Sequence, residues 1–358
     1  MHIYGVIMAG GGGTRFWPLS RQKTPKQLLN LSGNDLMVNE AIDRLSYTAD
    51  RKDIFIVTNC EQADKMQKAT AGRIRPDHIL SEPCARNTAA CIGYAAVEIM
   101  KKYGDGIMVI TPSDAYIRDN AVFTRVLSKA VRAAEEYEKL VTIGIKPTFP
   151  ATGYGYIRCS GEGSADVRKV IQFMEKPDKS TAQSFFESGE YVWNSGMFVW
   201  KAGVILKKYR ELIPDIYEDI RAIGKAVGTE REAAEIGRIY PGIRRISVDN
   251  AIMEPAAAAG DVLMIPGDFG WNDVGSWDMM NILHKEDQRG NVLIGDTVSV
   301  GIKNTTIYSG GRTVAAVGVE GLIIAETPDA VLVCRRDRAQ DVRLIVEKLR
   351  ASSRNELL

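Results

Sequence analysis

Histidine and cysteine are scarce in this chain, and neither is grouped. The three histidines (His2, His78 and His284) lie far apart, which argues against a histidine-bound metal and against a nucleophile–histidine triad. Five cysteines (Cys60, Cys84, Cys91, Cys159 and Cys334) are scattered, odd in number and without a Cys-x-x-Cys pair. Neither structural zinc nor a disulfide framework is expected. No charge sign dominates either, since 46 basic and 45 acidic residues leave a formal net charge of +1. A general nucleic-acid binder or a protein of anionic membranes would have no basic field to work with. No apolar run is long enough to span a bilayer. The N-terminal run is too short for a secretory leader and lacks a basic flank. The expectation is a reduced, cytoplasmic protein with no nucleic-acid and no membrane partner.

What is present is an ordinary globular composition, 45% hydrophobic and 25% charged over 358 residues, enough for one large domain or two. Apolar runs at Ile3–Met8, Ile54–Thr58, Ile107–Thr111 and Val141–Ile145 read as buried strands. Between them, 36–47, 61–72, 88–102 and 121–138 carry apolar residues at helical spacing. The alternation predicts an α/β fold with a parallel sheet covered by helices on both faces. Ligands of such sheets bind beyond the carboxyl ends of the strands. From about 150 to 285 the pattern is mixed, with strands at Tyr154–Cys159, Val170–Met174, Met197–Trp200 and Val262–Pro266 and a helical block at 202–238. Beyond Gly290, short β-branched runs punctuated by glycine predict a small all-β appendage, followed by an amphipathic helix at 337–350. No strict hexapeptide period marks a β-helix. Residues 351–358 are expected to fray. The domains read as 1–285 and 290–358.

The most informative segment is Met8-Ala9-Gly10-Gly11-Gly12-Gly13-Thr14-Arg15, directly after the first strand. Glycines there leave consecutive amides open to an anion, so Gly10, Gly11, Gly13 and Thr14 are candidate phosphate contacts. No Gly-Lys-Ser/Thr closes a Walker A loop, and Arg15 stands where a dinucleotide fingerprint needs glycine. A glycine-rich hairpin is the plainer alternative. Asp114 follows the Ile107–Thr111 strand within Thr111-Pro112-Ser113-Asp114. It reads equally as a ligand for a hard cation such as Mg²⁺ or as a helix cap. Asp273, bracketed by Gly270-Trp271 and Gly275-Ser276-Trp277, is a second candidate for the same cation, or a cap before a helix at 276–285.

Four further motifs suit a sugar phosphate and a base. In Glu175-Lys176-Pro177-Asp178, the proline is expected to hold Lys176 extended so that its ammonium projects onto phosphate. Trp193-Asn194-Ser195-Gly196 offers hydrogen bonds beside an apolar wall, or only a tight turn. Thr152-Gly153-Tyr154-Gly155-Tyr156 offers close backbone approach, or a glycine-relieved strand. Glu82 of Glu82-Pro83-Cys84-Ala85-Arg86-Asn87 has the chemistry to accept from a guanine edge, while Asn87 suits either a nucleotide contact or an N-cap.

The pattern Gly-Gly-x-Gly-Thr-Arg followed by Pro25-Lys26-Gln27 resembles the sugar-nucleotide pyrophosphorylases. The ordered set of Glu82–Ala90, Pro112–Asp114, Thr152–Tyr156, Phe173–Asp178, Trp193–Phe198, Ser247–Glu254, Gly270–Trp277 and the tail Thr327–Val333 with Arg338–Val342 extends the likeness over nearly the whole chain. It is similar to the bacterial mannose-1-phosphate guanylyltransferases. That resemblance implies a Rossmann-like nucleotidyltransferase domain with a mixed, mainly parallel sheet, acting on GTP and mannose 1-phosphate with Mg²⁺ and expected as a homodimer. It implies Arg15 and Lys26 on the triphosphate and Asp114 and Asp273 on the metal. Gly153, Glu175, Lys176 and Asn194 would serve the sugar phosphate, and Glu82 and Asn87 the nucleotide. One departure stands out: Ala115 occupies the place where the family usually has histidine. At this length there is no room for the isomerase domain of longer bifunctional members, so transferase activity alone is expected. The rival readings are a pyrophosphorylase for another sugar 1-phosphate (heptose or glucose) or another nucleotide, and a non-catalytic regulatory paralogue.

Overall fold

In the computed structural model, which describes residues 1–163 and 166–358, the chain forms two compact units. The first comprises Met1–Gly10, Ala41–Ser113 and Ile117–Trp271; the second comprises Gly11–Glu40, Asp114–Tyr116 and Asn272–Leu358.

The first unit is built on a nine-stranded sheet. Its early strands are β1 (Ile3–Met8), β2 (Ile54–Asn59), β3 (Ile79–Glu82) and β4 (Ile107–Pro112). A two-residue strand, β5 (Tyr116–Ile117), follows, and then β6 (Leu140–Ile145), β7 (Tyr156–Gly163), β8 (Arg168–Met174), β9 (Tyr191–Lys201) and β10 (Val262–Gly267). The sheet order is β3-β2-β1-β4-β9-β6-β10-β8-β7. Strands β3, β2, β1 and β4 run parallel, as their near-continuous apolar sequences require when helices cover both faces. Strand β9 is antiparallel to both β4 and β6, β6 pairs parallel with β10, and β8 and β7 extend the sheet antiparallel. The core includes Val6, Phe55, Ile110, Phe198 and Trp200 from the strands, and Ile92, Ile99, Tyr209 and Ile220 from helices.

Several helices start where a side chain satisfies the free amides of the first turn. Asn59 caps Cys60–Ala69, Asp119 caps Asn120–Tyr137, and Asp178 caps Lys179–Ser188. The block expected at 202–238 is three helices, Ala202–Leu212, Pro214–Ala226 and Glu232–Ile239: Pro214 can begin a helix but not continue one, and Gly228 at φ +78 follows the end of the second. The sequence pattern does not predict the Lys179–Ser188 helix: it is short, and its apolar face is limited to Ala182, Phe185 and Phe186, of which only Ala182 is fully buried.

The second unit joins the glycine loop to the C-terminal strands. Strand β11 (Trp271–Asn272) leads into β12 (Val292–Ile294), β13 (Thr297–Val300), β14 (Thr306–Ser309), β15 (Val314–Val317), β16 (Leu322–Thr327) and β17 (Ala330–Arg335). The chain alternates between two ladders: β12, β14 and β16 pair in parallel, as do β13 and β15, and β17 closes the first ladder antiparallel. Val292, Thr306 and Ile323 stand in register although unequal lengths of chain separate them. That inequality is why no hexapeptide period is readable. The core of this unit draws Phe16, Trp17 and Leu29 together with Val274, Trp277, Ile323, Leu332, Val342 and Val346. Residues 351–358 do not simply fray. Asn355–Leu357 form a 3-10 turn, Leu357 is 7% exposed, and its carbonyl accepts from Trp17 Nε1 at 2.9 Å. Among the described residues no helix is long and apolar enough to cross a membrane.

Candidate active site

The second unit brings the glycine loop, Lys26 and both candidate metal aspartates together. Gly13 sits at φ +57, and a Cβ there would lie 2.4 Å from the Lys26 Cβ and 2.9 Å from its amide nitrogen. Only glycine lets the loop close onto Lys26. The carbonyls of Gly11 and Gly13 are occupied, accepting from Gln27 Nε2 at 3.1 Å and Ser20 Oγ at 2.6 Å. Among the described residues, the amides of Gly11 to Thr14 donate to no protein acceptor. The loop therefore holds itself by its carbonyls and leaves its N–H groups for an anion.

Lys26 is 3% exposed, and its ammonium meets three protein oxygens. These are Asp114 Oδ2 at 3.1 Å, the Asp114 carbonyl at 3.0 Å and the Asp273 carbonyl at 2.6 Å. One buried cation thus ties two loops far apart in sequence. This differs from the expectation that Lys26 chiefly faces phosphate, because its three protons have three partners within the protein.

Neither aspartate is a helix cap. Asp114 leads into a strand, and the next helix is capped by Asp119. Beyond Asp273, the short turn Trp277–Met279 has Ser276 at its N-cap position. Val274, next to Asp273, is held at φ +44, where a β-branched residue is a true outlier. The turn is kept by Asn272 Oδ1, which accepts from the Val274 amide at 2.6 Å, and by full burial of the Val274 side chain. Strain of this kind persists only where the surroundings over-determine it. Two aspartates whose backbone carbonyls meet one ammonium suit a hard cation that takes its other ligands from phosphate and water. No group of three or more metal-binding side chains occurs among the described residues. Ala115 is buried and brings no titrating group to the site. Arg15 Nη1 donates to Gln340 Oε1 at 2.9 Å.

The first unit assembles a second cluster. A Cβ on Gly155 would lie 2.5 Å from Glu175 Oε2, so this glycine makes room for the carboxylate. Glu175 pairs with Lys176 Nζ at 3.0 Å, and its amide donates to Glu254 Oε1 at 3.0 Å. Lys176 is not extended. It lies at φ +47, so the proline excludes the right-handed helical region and the backbone settles in the left-handed one. Its side chain is 63% exposed, which leaves the ammonium accessible to a ligand. Gly153 is exposed with open space around it.

Asn194 Oδ1 accepts from the Gly196 amide at 3.3 Å and from Thr142 Oγ1 at 3.1 Å. This fixes the amide, and Nδ2 donates to Asp249 Oδ1 at 2.9 Å. Asp249 is a candidate site residue that the sequence reading does not single out. It opens a π-helical turn, Asp249–Met253, a distortion frequent at functional sites. Burial and then the neighbouring Glu175 charge push its carboxyl up to about 7. The available signal was the Ser247–Glu254 motif, noted for its order and not for its carboxylates. Phe149, Tyr154, Trp193 and Trp271 pack edge-on beside these groups, with Tyr154–Trp193 and Tyr154–Trp271 ring centres 5.1 and 5.2 Å apart. This supplies the apolar wall.

Glu82 and Gly10 also meet in the first unit: Glu82 Oε2 lies 3.2 Å from where a Gly10 Cβ would be. Glu82 is buried, accepts from the Tyr240 hydroxyl, and has its pKa raised by burial. Asn87 is no conventional N-cap. It takes φ +68, and its Oδ1 accepts from the adjacent Thr88 amide at 2.8 Å. It is exposed.

Residues 4–289 match the family described as nucleotidyl transferase, and residues 295–349 match the MannoseP isomerase/GMP-like beta-helix domain. The chain is 40% identical to the xanthan biosynthesis protein XanB of Xanthomonas campestris pv. campestris, over 98% of this chain and 74% of that protein. It is 36% identical to the mannose-1-phosphate guanylyltransferase of Escherichia coli, over 99% and 75% respectively. A solved structure described as mannose-1-phosphate geranyltransferase from Thermus thermophilus superposes with a TM-score of 0.88 at 31% identity, covering 98% of this chain and all of that one. The chain belongs to the nucleotidyl transferase family, in the branch that holds the bacterial mannose-1-phosphate guanylyltransferases, and carries their β-helix domain.

Proposed function

We propose that this protein converts GTP and mannose 1-phosphate to GDP-mannose and pyrophosphate. The observation that carries the reading is the convergence of Asp114 and Asp273 on buried Lys26, beside a loop with free amides. A sugar-phosphate oxygen attacks the α-phosphorus in line; the bond to the bridging oxygen of the β-phosphate breaks, and pyrophosphate leaves with both electrons. A phosphate monoester is already a nucleophile, so the protein needs to position groups and neutralise charge. Nucleotidyl transferases of this family generally use a divalent metal. Asp114 and Asp273 would hold a divalent cation such as Mg²⁺, which would supply that charge neutralisation.

The amides of Gly11 to Thr14 cradle the triphosphate, and Arg15 stabilises charge on the departing pyrophosphate. Lys26 fixes the two aspartate loops in place of gripping phosphate directly. Lys176 binds the phosphate of the sugar. Glu175 and Asp249 accept from hexose hydroxyls, with Asn194 holding Asp249, and Gly153 offers its backbone. Glu82 and Asn87 serve the base and ribose, beside Gly10. Retention of Arg15, Asp114 and Asp273 favours an enzyme over a non-catalytic paralogue.

Pyrophosphate release measured over a matrix of nucleoside triphosphates and sugar 1-phosphates tests the specificity. GTP with mannose 1-phosphate should exceed every other pair in kcat/KM. A preference for glucose or heptose phosphate, or for another base, would replace this reading with that one.

A further inference from the structure

We propose that Gln340, from the C-terminal segment, positions the Arg15 guanidinium for catalysis; this rests on the role given to Arg15 above. The chain of hydrogen bonds runs one way. Arg15 Nη1 donates to Gln340 Oε1 at 2.9 Å, Gln340 Nε2 donates to Ser276 Oγ at 2.6 Å, and the Ser276 hydroxyl donates to Asp278 Oδ1. Each link fixes the next. Arginine has no acceptor and a carboxylate has no proton to give, so the amide can face only one way. Ser276 is fully buried and cannot drift. Gln340 itself lies in the 3-10 turn Arg336–Asp341, where its neighbour Ala339 is packed in the core of the same unit. The point where a Gly275 Cβ would sit is 3.3 Å from Asp273 Oδ2 and 3.4 Å from Arg15 Nη1. The guanidinium and the proposed metal carboxylate thus flank the same glycine.

The amide is the fitting group for this task. A carboxylate at the same place would hold Arg15 but cancel the charge that the leaving phosphates need. A neutral acceptor orients the fork and leaves its charge intact. The C-terminal module thereby supplies a positioning residue for chemistry carried by the N-terminal loop.

The test uses full-length Gln340→Ala, Gln340→Glu and Arg15→Lys with two readouts. The first is the rate at which phenylglyoxal labels Arg15 in the ligand-free protein, followed by peptide mass spectrometry. The second is kcat against GTP affinity by calorimetry. Gln340→Ala should label several-fold faster and lose about tenfold to a hundredfold in kcat, the effect of one charged hydrogen bond, with GTP affinity and melting temperature nearly unchanged. Gln340→Glu should label slowly yet also lose kcat. Unchanged labelling in Gln340→Ala would overturn the contact whatever the enzyme does. Wild-type kcat in Gln340→Ala, with Arg15→Lys impaired, would overturn the positioning role and leave the assignment of Arg15 standing. If Arg15→Lys keeps full kcat, the assignment of Arg15 falls, and the inference with it. A kcat loss matched by lost thermal stability would make Gln340 structural only.

Discussion

At the scale of single residues, the aspartates and Lys176 carry the proposed chemistry. Asp114→Asn and Asp273→Asn each remove a negative charge from the ligands proposed for the cation while keeping shape. Each should lower turnover by orders of magnitude. Asp273→Asn should leave the melting curve nearly unchanged, whereas Asp114→Asn, which removes the carboxylate paired with buried Lys26, should also lower the melting temperature while the protein stays folded. Near-normal Mg²⁺-dependent rates in either variant would remove that residue from the site. Lys176 joins an accessible charge to a left-handed backbone. Lys176→Ala and Lys176→Gly should both raise KM for mannose 1-phosphate by about tenfold to a hundredfold. Lys176→Gly should also be more stable than Lys176→Ala by roughly 1 kcal/mol, since glycine takes positive φ without strain. Equal stabilities by denaturant titration would deny the strain. Residue types near motifs were legible in the sequence, but their division of labour was not. Lys26 looked like a phosphate ligand because nothing in a linear sequence shows two carbonyls converging on it. Asp249 was passed over because its value comes from Glu175 and Asn194, which lie far from it along the chain.

At the scale of elements, buried strands were readable because each is an unbroken apolar run covered on both faces. Helix Lys179–Ser188 and the coiling of β12 to β16 were not, since one is short with a single fully buried residue and the other has unequal turns. The helix Asn87–Lys102 carries a testable charge. Glu98 is 1% exposed and pairs with Lys102 at 2.9 Å, near Glu232. Burial outweighs Lys102, and the carboxyl is pushed up to about 7. A carboxyl raised in the folded state favours folding below its unfolded pKa, and that contribution is lost as pH rises from about 4.5 to about 7. Glu98→Gln should therefore be stabilised at pH 8.5 by about 1–3 kcal/mol relative to the parent, with little difference at pH 4. Chemical denaturation at both pH values checks this, and an equal effect at both would show that burial does not control Glu98.

At the scale of the whole molecule, the glycine loop and the C-terminal strands fold as one body, which composition and periodicity could not reveal. The link is made by contacts such as Trp17 Nε1 to the Leu357 carbonyl and Trp277 Nε1 to the Trp17 carbonyl at 3.0 Å. Removing residues 353–358 should expose Trp17, lower stability by about 1–3 kcal/mol and weaken GTP binding. An unchanged melting curve would make the tail dispensable. The central claim is transfer of a guanylyl group to a sugar phosphate by the Asp114–Asp273 site. The most direct measurement supplies GTP labelled at its α-phosphate together with mannose 1-phosphate and Mg²⁺, and follows the label. It should appear in GDP-mannose and not in pyrophosphate, require the metal, and fall with Asp114→Asn and Asp273→Asn alike. Label absent from any sugar nucleotide, or transferred equally well without the metal or without the two carboxylates, would contradict the account.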